Sequence, residues 1–439
     1  MANKNFQLIV AGGGITGSAL LYTLSRYTNL QSIALLEKHD GLGQANTSGL
    51  RNSQTLHFGD IETNYNLEKA KKVKIGASMV AKYLDRLPSN NGIFLHSNSM
   101  ILAIGENEIK TLKERFEQFK EAYPDLKRIE ADEIAKIEPQ IMQGRDPQIP
   151  VLALYSTTGY TVNYQKLAES FVQNTDKNKT EIFFNTKIKS IKKSGDNYIV
   201  TTDQDTFTAP VVVVALGTHS LLFAKHLGYG LEYAVLPVIG DYYTSDHRLL
   251  NGKVYTMQNE KLPFAAVHGD PNIFDTAETR FGPTALSLPI LERGSLKTLP
   301  DFFRSAGFDW NAFMTIVKIH SDPDILKFII ENFIFTLPFI GRSAFVKNIA
   351  KIIPTIKKSD LQSKKGLGGI RPQLVNKKER RLLLGAAEIL GDKIIFNVTP
   401  SPGATACLQN ALGMTKKIEE FFGGQIQFDE TSFKRDFID

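Results

Sequence analysis

Apolar residues in this chain occur in two spacings that mark different elements. "FQLIV" (6–10) is a short unbroken apolar run, the pattern of a buried parallel strand, and "SALLYTLSRY" (18–27) has helical spacing. A second buried strand, "IALLE" (33–37), follows. This helix-then-strand rhythm breaks off near residue 90, and strand-like stretches return only at "TEIFFNTKIKSI" (180–191) and "APVVVVALGTHS" (209–220). Near the C-terminus, "FNVTPSPGATACLQNALGMTKKI" (396–418) reads as strand, Pro-Gly turn and helix. "NEIKTLKERFEQFKEAYPDL" (107–126) predicts an exposed helix whose charges form a solvated face.

Between the first strand and helix lie Gly12, Gly14 and Gly17 in GxGxxG spacing. The first glycine permits a tight turn, the second lets a pyrophosphate approach the backbone, and the third lets helix and strand pack closely. The helix start adds N–H groups and a positive dipole end. Glu37, at the end of the second strand, is placed to accept hydrogen bonds from a ribose and disfavours a 2′-phosphate. The pattern predicts dinucleotide binding. The late return of strands argues against a contiguous NAD domain. The 209–220 strand, ending in Gly217, resembles the one that closes the dinucleotide domain of glutathione-reductase-type flavoproteins. The helix after Pro402-Gly403 would place its N-terminus at a flavin pyrimidine edge, where a dipole stabilises the charge of the reduced ring. The expected cofactor is therefore FAD. Neither "AIGENE" (103–108) nor "GLGGI" (366–370) has the spacing for a second dinucleotide.

With 439 residues the chain exceeds one ordinary core and predicts two joined domains. The single cysteine, Cys407, excludes an internal disulfide and a CxxC metal site, and no metal site is expected. Cys407 reads as a packing residue in a small-residue helix start. No signal peptide and no uninterrupted apolar stretch of spanning length is visible, which predicts a cytoplasmic protein without a transmembrane helix. A net charge of +6 permits contact with an anionic surface, and no motif supports nucleic-acid binding.

"NTSGLRNSQTLHFGDIETNY" (46–65), "FGPTALS" (281–287), "GGIRPQLV" (368–375) and "TPSPGATACLQNAL" (399–412) resemble the malate:quinone oxidoreductases. These belong to the D-amino-acid-oxidase-like superfamily, with L-2-hydroxyglutarate oxidase as a near relative. The resemblance runs end to end and is diffuse between 90 and 260. Typical bacterial members are longer and carry a different version of the 50–57 stretch, although Asn52, Thr55 and His57 match. The resemblance implies an α/β fold in which a glutathione-reductase-type FAD-binding Rossmann domain (1–85, 150–225, 365–430) interleaves with an α+β substrate domain (86–149, 226–364). The expected FAD-binding residues are Gly12, Gly13, Gly14, Ile15, Thr16, Gly17, Glu37, Lys38, Asn46, Thr47, Ser48, Ile188, Gly217, Pro402, Gly403, Ala404 and Thr405.

Oxidising a 2-hydroxy acid needs cations for carboxylates, a base for the hydroxyl proton and a flavin N5 for the hydride. Arg371, after a flexible Gly366/Gly368/Gly369 turn, supplies a guanidinium fork that matches a carboxylate. His268, at a strand end, and His57 compete for the role of base, with His268 preferred. Gln54 and Thr55 are candidates to hydrogen-bond substrate or flavin. The implied reaction takes (S)-malate to oxaloacetate with quinone as final acceptor. The rivals are L-2-hydroxyglutarate or another 2-hydroxy acid as substrate, oxygen as acceptor, an amino-acid or amine oxidase on the same fold, and a flavoprotein whose FAD is structural.

Residues 325–358 lack acids between Glu331 and Asp360 but carry Arg342, Lys347, Lys351, Lys357 and Lys358. On a helix, Phe345, Ile349, Ile352 and Ile353 share one side. The segment is interrupted by Pro338 and Gly341 and is too charged to span a bilayer. It is expected to attach the protein peripherally to the inner face of the cell membrane, near a lipid-soluble quinone; the competing reading is a helix that covers the core.

Overall fold

The computed structural model describes residues 3–258, 267–306, 314, 321, 323–337, 340–364, 366–383, 387–399 and 402–439. Pro338 and the residues just before Val267 and Pro402 lie outside these.

Six strands form the central sheet, in the order Thr180–Phe183, Ile33–Leu36, Leu8–Ala11, Val211–Val214, Ile394–Val398, Ala387–Gly391. The first five are mutually parallel and the last is an antiparallel edge. Covered on both faces, such strands read as continuous apolar runs. Alternate side chains then enter two cores. Leu8, Val10, Leu35, Val211, Val213 and Ile395 pack with helices Ile15–Tyr27, Leu67–Asp85, Tyr164–Gln173 and Cys407–Phe421. Ile9, Leu36, Val212, Val214 and Phe396 pack on the other face with helix Ser220–His226.

An eight-stranded mixed sheet holds a third core, in the order Gln362–Ser363, Tyr243–Ser245, Thr279–Gly282, His268–Pro271, Lys253–Thr256, Ser99–Ile104, Val151–Ser156, Lys127–Glu130. Strand Val151–Ser156 pairs with Ser99–Ile104, so this sheet runs past the boundary expected at residue 150. A third sheet joins Tyr233–Gly240 to Gly369–Asn376 over eight antiparallel positions, across the boundary expected at 365.

Three local expectations are corrected. The stretch 180–191 is two strands, Thr180–Phe183 and Ile188–Ser194, because Asn185 turns the chain with φ +52° and the second strand joins an antiparallel sheet with Asn197–Thr202. Helix Glu106–Phe119 does not solvate all its charges. Arg115 is buried and donates to the carbonyls of Glu62 and Tyr65, each at 2.8 Å, closing the loop between them. The side chains expected to lie among acyl chains, Phe345, Ile349, Ile352 and Ile353, are at most 1% exposed and pack under the eight-stranded sheet. The preceding helix, Pro323–Thr336, instead exposes Leu326, Ile330 and Phe333, the last two by about half.

Candidate active site

A cavity of about 740 Å³ lies beyond the carboxyl ends of the parallel strands, where the glycine turn, residues 36–39, 215–219, Asn397, Thr399 and 402–405 converge. The glycine turn is shaped by close approach. A Cβ on Gly12, at φ +107°, would sit 2.5 Å from the Ala215 carbonyl, and one on Gly17 would sit 1.9 Å from the Gly12 carbonyl. Helix Ile15–Tyr27 starts at Gly14, which has no side chain to cap it, and carries no acid in its first turn; its Ile15 N–H donates to Thr47 Oγ1 at 3.0 Å, and its positive end faces the cavity. Asn397, also on the wall, has a buried Nδ2 without a hydrogen-bond partner among the described residues. A helix start free of acids, a cradle of bare backbone and an unpartnered amide donor fit a pyrophosphate-bearing cofactor.

Of the expected cofactor residues, Gly12, Gly14, Ile15, Thr16, Glu37, Lys38, Asn46, Thr47, Ile188, Gly217, Pro402, Gly403, Ala404 and Thr405 line this cavity. Gly13, Gly17 and Ser48 do not. Gly13 instead donates its N–H to Glu37 Oε2 at 2.8 Å, Gly17 is the packing glycine, and the Ser48 carbonyl is held by Asn52 Nδ2 at 2.9 Å. Glu37 is oriented by this bond and by the His39 N–H at 3.0 Å. Cys407 is fully buried in the core, and burial pushes its thiol up to about 12, so it stays a protonated packing residue.

At the other end the cavity meets the 46–65 loop and strand Gly369–Asn376. Asn46 Oδ1 accepts the Ile370 N–H at 3.1 Å, tying the two together. The glycines before Arg371 are not a flexible turn. A Cβ on Gly368, at φ +100°, would meet the Gly240 carbonyl at 1.8 Å, and one on Gly369 the Arg51 carbonyl at 2.1 Å. Arg371 lines the cavity from this tight wall and stands beside Tyr242. Burial raises Tyr242, while Arg371 and Arg280 oppose the rise.

His57 faces the same cavity, and its Nδ1 hydrogen-bonds the Glu62 carboxylate. Its backbone N–H donates to Thr405 Oγ1 at 3.1 Å, linking it to the turn before the last core helix. Burial alone would raise Glu62, but the His57 imidazole and Arg115 hold it below the ordinary carboxylate range. Buried Tyr65 is raised first by burial and then by Glu62, while Arg371 opposes the shift. The histidine–acid dyad and the arginine are therefore near neighbours.

Two candidate residues are not on the cavity wall. Gln54 is fully buried at φ +54°, donating to Gly49 O at 2.9 Å and accepting the Ile273 N–H at 3.0 Å, so its amide staples loops. His268 is 1% exposed on an interior strand, its ring 4.6 Å from that of Tyr255 and its Nε2 3.8 Å from Asp270 Oδ1. Asp270 also receives Arg280 at 2.7 Å and Lys253 at 3.4 Å, all three buried. Burial would raise Asp270, yet Arg280, Lys253 and His268 hold it down; burial pulls Lys253 down to about 8 against the Asp270 carboxylate. This cluster reaches the cavity indirectly. Lys253 donates to Thr55 Oγ1 at 2.9 Å and Arg280 to the Ser53 carbonyl at 3.0 Å, and Ser53 and Thr55 both line it.

Sequence reading missed Glu62, Tyr242, Asn397 and the Lys253–Asp270–Arg280 group. Two signals were present: Glu62 lies five residues after His57 in the same motif, and Asp270 is two residues from His268, on the same face of its strand.

The FAD dependent oxidoreductase family model (DAO) matches residues 7–397. The chain is 42% identical to a probable malate:quinone oxidoreductase of Campylobacter jejuni, over 100% of both chains. It is 39% identical to the malate:quinone oxidoreductase of Helicobacter pylori, over 97% of each. Among solved structures it is similar to the L-alpha-glycerophosphate oxidase of Mycoplasma pneumoniae, with a TM-score of 0.66 at 18% identity over 98% of this chain and 97% of that one. Glycine oxidase of Geobacillus kaustophilus gives 0.65 at 16% identity, over 98% of each. The glycine cradle, the interleaved sheets and these matches agree: the chain belongs to the FAD-dependent oxidoreductases and, within them, to the malate:quinone oxidoreductase family.

Proposed function

We propose that the chain oxidises (S)-malate to oxaloacetate and passes the electrons to a quinone. The observation that carries this reading is that one cavity receives both a guanidinium, Arg371, and an imidazole backed by a buried carboxylate, His57–Glu62, in a chain 42% identical to a malate:quinone oxidoreductase. When bound, FAD supplies a two-electron acceptor for the hydride on C2. The residues on the cavity wall are its binding set, with Glu37 at the ribose and the start of helix Ile15–Tyr27 at the pyrophosphate.

Arg371 grips one carboxylate bidentately, and Arg51, on the same wall, serves the second. Neutral His57, donating through Nδ1–H to Glu62, presents Nε2 to the substrate hydroxyl and takes its proton. Glu62 fixes the tautomer and stabilises the imidazolium that forms. His57 replaces His268 as the base, because His268 stands behind Tyr242 and Tyr255 rather than on the wall. In this reading the chain has two domains, with the first boundary drawn after Ser156, because Val151–Ser156 pairs with Ser99–Ile104.

Among the described residues no helix is long and apolar enough to cross a membrane. Access to a lipid-soluble quinone is supported by the exposed Leu326, Ile330 and Phe333 stripe, with exposed Lys327 beside it and Lys347 and Lys351 on the next turns of chain. An exposed apolar stripe, with an exposed lysine on its own helix and two more on the segment that follows, suits peripheral contact with anionic headgroups at the inner membrane face. Sedimentation with anionic vesicles, lost when these three become serine, tests the contact.

Anaerobic bleaching of the yellow protein tests the reaction. Malate is expected to bleach it; bleaching by 2-hydroxyglutarate in preference, or by amino acids alone, overturns the substrate assignment.

A further inference from the structure

The proton that His57 accepts has to leave before the next turnover, and the cavity side of the imidazole is covered by substrate, then product. Behind the ring, Glu62 Oε1 receives Nδ1, while Glu62 Oε2 is buried with no hydrogen-bond partner among the described residues. A cavity of about 10 Å³, the room one water needs, borders Glu62, Asp60, Thr55, Ser99, Lys253 and Tyr255. On its far side the Asp60 carboxylate accepts the Ile61 N–H at 3.0 Å and lies close enough to the Ser156 hydroxyl to be lowered by it. Ser156 Oγ lies 3.0 Å from Thr158 Oγ1, and Thr158 is exposed.

We propose that the substrate proton leaves along this buried line, from His57 through Glu62, one cavity water and Asp60 to Ser156, Thr158 and solvent. The inference rests on His57 being the base. In each turnover the substrate O–H and C2–H bonds break and a C=O bond forms. The hydride goes to the flavin, the proton goes to His57 Nε2, and the Nδ1 proton moves to Glu62. One proton per substrate reaches water at Thr158.

Asp60 is suited to pass a proton. Burial and the nearby Glu62 carboxylate raise it to about 6, so it exchanges protons near neutrality. The other groups facing the path have fixed tasks. Arg115 binds the carbonyls of the 59–65 loop, and Tyr123 donates to Phe58 O at 3.0 Å. Tyr160 bonds Asp85, and Tyr255 is held protonated by burial. Lys253, across the water-sized cavity, donates to Thr55 Oγ1 and leans on Asp270. That leaves Asp60, raised by burial, as the acceptor that keeps the proton, and Glu62, held low by His57 and Arg115, as a carboxylate that carries it only in passing from the imidazole.

The test is stopped-flow reduction of the FAD-loaded enzyme by malate without oxygen, following bleaching and, with a pH-indicator dye, proton release. In the parent, release keeps pace with bleaching. Asp60→Asn is expected to slow bleaching by roughly 10-fold, less than loss of the base itself, and to make proton release lag. Ser156→Ala, which removes one hydroxyl, is expected to show the same lag with full FAD content. Infrared titration of the resting protein is expected to lose one carboxyl titrating near 6 in Asp60→Asn. If both variants bleach and release protons as the parent does while His57→Gln is slow, the path is wrong and the base assignment stands. Unimpaired bleaching in His57→Gln overturns the base, and the path with it.

Discussion

Among the described residues, two histidines stand near a buried acid, and their surroundings differ in the way that matters for chemistry. His57 lies on an irregular loop at the cavity wall, and its partner Glu62 keeps one oxygen unpartnered. His268 lies on an interior strand between tyrosine rings, and its neighbour Asp270 is already neutralised by Arg280 and Lys253. The first arrangement can gain and lose a proton beside a ligand. The second is a fixed charge cluster that holds Ser53 and Thr55 in place from behind. Proximity of histidine and acid is thus weak evidence of catalysis until the free valences around both are followed.

The contrast can be broken by substitution. Asp270→Ala strips the acid from buried Arg280 and Lys253 and is expected to cost about 3–5 kcal/mol of stability, read as a large fall in the denaturation midpoint. His57→Gln should leave stability and FAD content near the parent values while flavin reduction by malate slows by about 10²- to 10³-fold. If the two effects exchange, with Asp270→Ala folded but inactive and His57→Gln unstable, the comparison is wrong.

Arg371→Lys keeps the charge but loses the planar fork, and kcat/KM for malate is expected to fall about 100-fold, mostly through KM. Asp60→Asn gives a stability test with a definite sign. Its folded value, near 6, exceeds the ordinary 3.8, so the folded protein retains a proton that the unfolded chain releases. That contribution is present below about pH 4 and is lost as the pH rises through 6. Above pH 6 the Asn variant should therefore exceed the parent by about 3 kcal/mol, with the gap closing in acid, as thermal melts across pH would show. The smallest change is expected for His268→Phe, which keeps the ring stack: less than about 1.5 kcal/mol in stability, and reduction within a few-fold of the parent.

The parts legible in the sequence are those in which backbone geometry dictates residue type. The GxGxxG turn, Glu37 and the Pro402–Thr405 turn are short-range patterns, and each lies on the cavity wall except Gly13, which binds Glu37, and Gly17, which packs against the Gly12 carbonyl. Arg371 could be picked out by its motif, but the reason for its glycines could not. Gly368 and Gly369 are pressed against the Gly240 and Arg51 carbonyls, contacts made by residues far away in the chain. Gln54 was misplaced for the same reason, since the loop it staples includes Ile273, 219 residues away. His268 was misplaced although its partners Tyr255 and Asp270 are close in the chain, because a strand end does not show which rings stand between it and a cavity. The helical pattern of 341–353 gave the right apolar face and the wrong neighbour for it, since periodicity marks burial without naming what does the burying.

The bare backbone at Gly368 and Gly369 also limits how this enzyme can change. With a carbonyl oxygen about 2 Å from where each methyl would be, any larger residue would push Arg371's strand away from its support. A shift toward a longer or shorter acid must therefore come from residues elsewhere around the pocket, such as Arg51, Tyr242 and Arg293, while the carboxylate anchor stays where it is.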